Sequence, residues 1–228
     1  MKLLARTSIA AAALLISGVA AAGTIAGLVN TGAGLAAGST DTHYTYSVSG
    51  GDYTGLSGSG VVSNSNVDPF PSWLANTASS SWLIPTADQS INYSSSESST
   101  FTWSLNFDLT GYDLSSASIT GRWASDNSGV LLLNGTVIST ILGNGYNTWT
   151  NFSGINSALT TGKNTLSFVV TDDASATYNY TGLRVEFASA TANLGTPLVT
   201  PAVPEPESYA MMLAGLAALG FLARRRRD

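Results

Sequence analysis

The 228-residue sequence contains no cysteine, and only 10% of its residues are charged. The absence of cysteine excludes a disulfide framework, a thiolate metal site and a cysteine nucleophile. The low charge is unusual, because globular proteins carry about 25% Asp, Glu, Lys and Arg. Ser, Thr, Asn and Gly take the place of the missing charges. Such a composition is typical of an exported β-rich protein rather than of a cytosolic helical one.

Basic residues are scarce in the body of the chain. Between Gly23 and Val203 only Arg122, Lys163 and Arg184 are basic, whereas eleven residues of the same span are acidic. Three positive and eleven negative charges give this span a net charge of −8. Contacts to nucleic-acid phosphates require clustered Lys or Arg. We therefore expect no nucleic-acid partner.

Several enzyme signatures are also missing. A Ser-His-acid triad needs a histidine base, and the single histidine, His43, lies in a predicted strand. No Gly-x-Ser-x-Gly motif occurs, and the glycines of residues 32–38 lack the preceding strand and the spacing of a dinucleotide fingerprint. We expect a protein that is not an enzyme and that uses no cofactor. A glycosidase-like carboxylate pair stays open, with the candidates Asp126, Asp172, Asp173 and Glu186.

The N-terminal segment predicts a helical signal peptide over residues 1–22. Lys2 and Arg6 form a positive region, residues 9–16 are apolar, and the alanines at 20–22 precede a predicted cut after Ala22. We expect signal peptidase to remove this segment as the protein is exported across the inner membrane.

The C-terminal segment combines a proline motif, an apolar stretch and four arginines. Residues 209–223 are mostly apolar, and we predict a transmembrane helix over residues 208–223 that anchors the protein transiently. The arginines favour a cytoplasmic location for the end of the chain. The predicted sorting residues are Val203, Pro204, Glu205, Pro206, Arg224, Arg225, Arg226 and Arg227.

These three parts, in this order, resemble the PEP-CTERM sorting signal. The resemblance implies that a membrane-embedded exosortase recognises the Pro-Glu-Pro, cuts near it, and releases the protein or transfers it to the cell surface. It also implies a component of the extracellular polysaccharide matrix of Gram-negative bacteria, as found in biofilms. A generic tail anchor is the alternative, but it would not need the Pro-Glu-Pro.

Alternating apolar and polar residues predict β-strands through the body. The clearest is FTWSLNFDL at residues 101–109, and similar alternation occurs at residues 42–48, 117–123, 164–170 and 182–187. The pair Asn134-Gly135 between apolar residues predicts a hairpin. Arg122, Arg184 and Glu186 are expected to point outward. We predict an all-β fold, a single antiparallel β-sandwich of the jelly-roll type over residues 23–190, followed by a linker at 191–202 and the sorting signal at 203–228.

The body carries a second resemblance. The segments GLVNTG, DTHY, SSWLIP, FDLTGYD, TGRWASDNSGVLLLNG and TGLRVEF follow one another between residues 27 and 187. In this order they resemble the globular domain that often precedes PEP-CTERM signals, which is similar to galactose-binding-like jelly rolls. The resemblance implies a surface or matrix protein. Its expected partners are exosortase and signal peptidase, and extracellular polysaccharide is a further candidate partner.

Aromatic residues outside the alternating strands are candidate glycan contacts, because an exposed ring can stack on a sugar. Trp103 and Trp123 share a face with other apolar residues and are expected in the core. Burial is the alternative for the candidates too. The candidates are Trp73, Trp82, Tyr146, Trp149, Tyr178 and Tyr180.

Acidic residues in predicted loops raise the question of calcium. Asp126, Asp172 and Asp173 are candidate ligands, but we favour a role as turn formers and expect no metal. The body is expected to be non-catalytic and either structural or glycan-associated. A dedicated carbohydrate-binding module is the alternative, while a glycan-active enzyme and an ice-binding protein are disfavoured. We expect the processed protein at the cell surface or outside the cell.

Overall fold

The computed structural model describes residues 22–195 and 206–225, and the chain divides into two compact units after Gly195. The first unit is almost entirely β-structure. Its described residues contain eleven strands: β1 Ala22–Thr24, β2 Thr40–Gly50, β3 Ser57–Val62, β4 Leu83–Ile84, β5 Ser99–Asp108, β6 Ser118–Asp126, β7 Ser128–Leu133, β8 Thr136–Ile141, β9 Thr150–Ser153, β10 Lys163–Asp172 and β11 Gly182–Asn193. Two short 3₁₀ turns occupy Leu114–Ser116 and Asn156–Ala158.

All strand pairs are antiparallel, and hydrogen bonds join the strands into one sheet in the order β8-β7-β10-β5-β2-β3-β4-β11-β6-β9, with β1 beside β11. The two end strands approach each other, since the Ser139 hydroxyl on β8 donates to the Asn151 carbonyl on β9 over 3.1 Å. The predicted antiparallel β fold is confirmed. The strands form one nearly closed sheet, which leaves little exposed strand edge.

The main core lies on the inner face of this sheet. Phe101, Trp103, Leu105 and Phe107 alternate along β5 and are all buried, as the sequence pattern predicts. The same alternation holds on β10, which pairs with β5 over its whole length. The β7–β8 hairpin turns at Asn134-Gly135, whose φ angles of 48° and 85° explain the use of Asn and Gly there.

Two expectations about the strands are wrong. Arg184 does not point to solvent: it is only 1% exposed, because the loop of residues 63–82 covers that face of β11. In addition, β11 extends to Asn193, three residues into the predicted linker, because Ala22 to Thr24 of β1 pair with its last three residues.

The second unit contains the helix α1, Pro206–Arg225, which begins two residues before the predicted membrane helix. A spanning helix takes about 20 mostly apolar residues. Within the described ranges no helix has the length and apolar character needed to cross a membrane, which corrects the prediction of a transmembrane helix at 208–223. The apolar part of α1 is confined to the 15 residues 209–223.

Several predicted features lie outside the described residues. They are the signal peptide up to residue 21, the linker from residue 196, and the sorting residues Val203, Pro204, Glu205, Arg226 and Arg227.

Candidate functional site

The loop between β3 and β4, residues 63–82, builds a second hydrophobic cluster on the opposite face of the sheet from the main core. Trp73 and Trp82 lie at its centre, with ring centroids 4.2 Å apart. Both are buried and pack with Ile84 of β4 and Ala124 of β6. We call these four residues the outer cluster. A Cβ at Gly182 would lie 2.7 Å from the Trp73 ring, so glycine at this position lets the indole pack against β11.

Arg184 fixes the same loop to the sheet. Its guanidinium donates hydrogen bonds to the Ser80 hydroxyl over 2.7 Å and to the carbonyls of Leu74 and Ala75. Burial lowers the pKa of Arg184, and the charge of Glu186 opposes this shift. Because four of its partners, Leu74, Ala75, Thr77 and Ser80, belong to the loop, this buried cation holds the cover of the outer cluster in place.

Glu186 links Arg184 to the surface. Its carboxylate accepts hydrogen bonds from the Ser80 hydroxyl over 2.7 Å and from Arg122 Nε over 2.8 Å. Burial alone would raise the pKa of Glu186, but the bonds from Ser80 and Arg122 hold it below its usual value. The Trp149 ring stacks beneath both guanidinium groups, with its centroid 4.4 Å from Arg122 and 4.9 Å from Arg184.

A groove of about 450 Å³ opens beside the outer cluster. Trp73 contributes to its wall, and three tyrosines line it: Tyr146, Tyr178 and Tyr180. Tyr178 is 86% exposed and has a φ of 44°, in the left-handed region that non-glycine residues seldom adopt. An exposed aromatic ring held in that backbone region is a marker of a functional surface.

Polar side chains lie between these rings. Asp68, Asn127 and Asn179 line the same groove. A neighbouring cleft of about 440 Å³ shares Asp68, Tyr178 and Tyr180 with it and adds Gln89, Ser90 and Asn92. The two cavities therefore adjoin each other at Asp68, Tyr178 and Tyr180.

Two buried aspartates lie at this end of the sheet. Asp126 ends β6 and Asp172 ends β10, and they are 6% and 0% exposed. Asn127 joins the two strand ends. Its backbone N–H donates to the Thr171 carbonyl over 3.0 Å, and its side-chain oxygen accepts from the backbone N–H of Asp173 over 2.9 Å.

Each aspartate has one oxygen bound and one free. Trp73 Nε1 donates to Asp126 Oδ2 over 2.8 Å, and the Ser94 hydroxyl donates to Asp172 Oδ2 over 2.7 Å. The two Oδ1 atoms are buried and accept no hydrogen bond from any described residue. Leaving a buried acceptor unpaired is costly, so these two atoms need an explanation.

Both carboxyl groups titrate far from their usual range. Burial raises the pKa of Asp126 to about 7, and the nearby charge of Asp173 adds to the effect while the Trp73 bond opposes it. Burial likewise raises the pKa of Asp172 to about 7, with a contribution from the charge of Asp126. The two groups are neighbours, because Asn127, which follows Asp126, is hydrogen-bonded to Thr171 and Asp173 on either side of Asp172.

The structure separates the six aromatic candidates. Tyr146, Tyr178 and Tyr180 line the groove, and Trp73 contributes to its wall although it is only 3% exposed. Trp82 is fully buried and presents no face to a ligand. Trp149 is half-buried beneath the two arginines and packs on the outer cluster, but it does not line the groove.

The remaining candidates take structural positions. His43 Nδ1 lies 3.0 Å from Asp41 Oδ1 on β2 and does not line the groove. In the part of the chain that the structure describes, no three or more His, Cys, Asp or Glu side chains are grouped as a metal site.

The groove residues that sequence reasoning missed are Asp68, Pro69, Ser72 and Asn179. None belongs to an alternating strand or a known motif, so the sequence contains no signal for them. The sequence does contain a signal for Asp126 and Asp172, because each of them comes at or just after the end of a stretch of alternating apolar and polar residues.

Comparison with protein families identifies the C-terminal segment. Residues 202–227 match the PEP-CTERM protein-sorting motif, which spans all eight predicted sorting residues. Of these, Pro206 begins α1, and Arg224 and Arg225 end it. The match supports exosortase-dependent sorting of an exported protein and is consistent with a destination at the cell surface.

The other comparisons add little. A search of curated proteins gave no match. Among solved structures, a β-glucosidase from Kluyveromyces marxianus is similar with a TM-score of 0.36 and 11% identity, over 73% of this chain and 20% of that chain. This similarity is too low to carry an argument about the body, and the aligned region is about a fifth of that enzyme.

Proposed function

We propose that this chain is an exported protein that an exosortase sorts to the cell surface, and that its β body is a non-catalytic module that binds extracellular polysaccharide. The observation that supports glycan binding is the tyrosine-lined cleft with interleaved carboxylate and amide groups. Carbohydrate ligands present apolar ring faces and many hydroxyls, and this lining offers partners for both.

The shape of the cleft favours a chain of sugars over a single one. Cavities of about 450 Å³ and 440 Å³ meet at Tyr178 and Tyr180, and each lies in the usual range for a small ligand. An oligosaccharide could therefore cross the tyrosines and contact Asn127 and Asn179 on one side and Gln89 and Asn92 on the other.

A catalytic role is less well supported. Glycosidases need two carboxyl groups that flank the scissile bond. Asp172 is fully buried, and Asp126 has one oxygen bound to Trp73 and the other inaccessible to solvent. Neither group can reach a sugar without rearrangement. We expect no release of reducing sugar from matrix polysaccharide incubated with the protein.

Glycan binding is tested with an array of bacterial polysaccharides and the full-length chain. Wild-type protein should bind a subset of the array, and Tyr180→Ala should weaken that binding because it removes the ring shared by both cavities. The matched control is Tyr53→Ala, a partly exposed tyrosine that does not line either cavity. Absence of binding across the array would reject the glycan proposal and favour a structural surface protein.

Sorting is tested separately, by mass spectrometry of the exported protein from cells with and without exosortase. We expect loss of the C-terminal segment near Pro204 to Pro206 only where exosortase is present. An exported form that retains Arg224 to Asp228 in exosortase-positive cells would contradict exosortase processing.

A further inference from the structure

The two unpaired aspartate oxygens require a partner that the described residues do not supply. Asp126 Oδ1 and Asp172 Oδ1 are buried acceptors on neighbouring strand ends. Two carboxylates placed together without a cation repel each other, and their ionised forms are poorly solvated when buried. A bound cation would remove both penalties at once.

The contacts around the aspartates hold the two free oxygens in place. Trp73 fixes Asp126 through its other oxygen, and Ser94 fixes Asp172 in the same way. Asn127 joins the two strand ends through its backbone and side chain. The acceptors are therefore preorganised, which is a property of a ligand site and not of a turn that merely uses aspartate.

The chemistry of the surrounding groups selects the type of cation. The chain has no cysteine, and no group of three or more metal-binding side chains occurs among residues 22–195. Zinc prefers nitrogen and sulfur ligands. Calcium instead combines carboxylates with carbonyl, amide and water oxygens. Asn179 lines the groove together with Asp126, and its side-chain amide donates to the carbonyl of Asp173, next to Asp172, over 2.8 Å.

We propose that Asp126 and Asp172 bind one Ca²⁺ ion through their free Oδ1 atoms, in the buried space behind Asp126, which itself lines the groove. The ion completes its coordination with neutral oxygens from neighbouring groups such as Asn179 and from water. It locks the ends of β6 and β10 together and thereby orders the loop that carries Tyr178. The site does not depend on whether the groove binds a glycan.

Terbium luminescence gives a direct test, because Tb³⁺ replaces Ca²⁺ and emits when a nearby tryptophan is excited. Trp73 donates its indole N–H to Asp126 and would be the sensitiser. Full-length protein stripped with chelator should show Tb³⁺ emission that saturates and that Ca²⁺ displaces. Trp73→Phe should lose most of the emission and, because it removes the hydrogen bond that holds Asp126 Oδ2, should also weaken the Ca²⁺-dependent rise in Tm.

Thermal melting provides the second readout. At a free Ca²⁺ concentration a hundredfold above Kd, the Tm should rise by about 5–10 °C. Asp126→Asn and Asp172→Asn should each abolish this rise and the Tb³⁺ emission, with folding confirmed by circular dichroism. The matched control is Asp113→Asn, which replaces an exposed aspartate before the other end of β6 and should behave as wild type.

Two outcomes would overturn the proposal. One is a Tm that Ca²⁺ does not change in folded wild-type protein, with no Tb³⁺ emission; a buried water or a shared proton then satisfies the two oxygens. The other is an undiminished response in both folded aspartate variants, which would place the ion elsewhere.

Discussion

The two faces of the sheet are stabilised in different ways. The main core is built from strand residues at alternating positions, and its largest side chains include Trp103, Trp123 and Phe168. The outer cluster combines two tryptophans of a loop with one residue each from β4 and β6. Two polar groups hold it: Arg184, with hydrogen bonds to the loop, and Asp126, bound to Trp73. The main core therefore determines the fold, while the outer cluster positions a groove.

The difference predicts where the protein tolerates change. Apolar packing without polar anchors loses stability in proportion to the volume removed. A cluster held by the buried cation Arg184 and the carboxylate of Asp126 should respond to charge, pH and cations as well. The following predictions separate the two faces on that basis.

The largest effect is expected from Trp103→Ala in the main core. The ring is fully buried on β5 and lies 5.0 Å from Tyr46, centroid to centroid. Its removal should lower the free energy of unfolding by about 3–5 kcal/mol, measured by urea denaturation. Trp149→Ala, at a half-buried ring beside the outer cluster, should cost only about 1 kcal/mol. Equal losses in the two variants would contradict the distinction between the faces.

The raised pKa values of Asp126 and Asp172 predict that the cation-free protein is more stable at mildly acid pH than at neutral pH. Folding raises the pKa of Asp126 and Asp172 from 3.8 to about 7, so the folded state binds more protons than the unfolded chain between these values. Ionisation of either carboxyl group therefore lowers the free energy of unfolding. This loss is complete above about pH 7 and disappears as the pH falls toward about 4. From roughly pH 8 to pH 5, the free energy of unfolding should rise by about 2 kcal/mol for each carboxyl.

Asparagine variants are the control for this prediction. Chelator-treated Asp126→Asn and Asp172→Asn should each lose part of the pH dependence, as measured by urea denaturation across the same interval. Exposed acids such as Asp88 and Asp108 have a lowered pKa, so their contribution has the opposite sign and is lost only at lower pH. If the free energy of unfolding of the wild-type protein stays constant or decreases as the pH is lowered from roughly 8 to 5, Asp126 and Asp172 do not take up protons on acidification.

Arg184→Met should have an intermediate effect. It leaves the Ala75 carbonyl without its donor, leaves the Leu74 carbonyl with only the bond from Trp82 Nε1, and removes a partner from Glu186. We expect a loss of about 2 kcal/mol, together with faster hydrogen exchange of the amides in residues 72–82. Arg122→Met, which removes the exposed partner of the same glutamate, should cost about 0–1 kcal/mol. A larger loss in Arg122→Met than in Arg184→Met would reject the anchoring role.

The two faces also differ in how far the sequence predicts them. Alternation on β5 and β10 correctly placed Phe101, Trp103 and Phe168 in the core, because one face of a strand must avoid water throughout its length. The same rule failed for Arg184. Its position alternates like that of a solvent-facing residue, and only the distant loop that covers it explains its burial.

The groove was harder to predict for the same reason. Tyr146, Tyr178 and Tyr180 were recognised only as aromatics outside strands, a property shared by Trp82, which is buried. Contacts between residues about 50 positions apart, such as Trp73 with Asp126, decide which ring is exposed. Local pattern contains no information on such pairs, whereas the sorting motif is local and was recognised from sequence.

The smallest effect on stability, and the clearest on function, is expected from Tyr178→Asn. The ring is 86% exposed, so its loss removes little packing, and asparagine adopts the left-handed region more readily than tyrosine. The free energy of unfolding should therefore stay the same or increase by up to about 1 kcal/mol. Affinity for a bound glycan should fall about tenfold, because stacking on one tyrosine face buries enough apolar area to contribute roughly 1.4 kcal/mol. Tyr53→Asn, measured by the same titration calorimetry, should leave affinity unchanged. If Tyr178→Asn destabilises the fold without changing affinity, the exposed ring is structural, and the groove does not use it for binding.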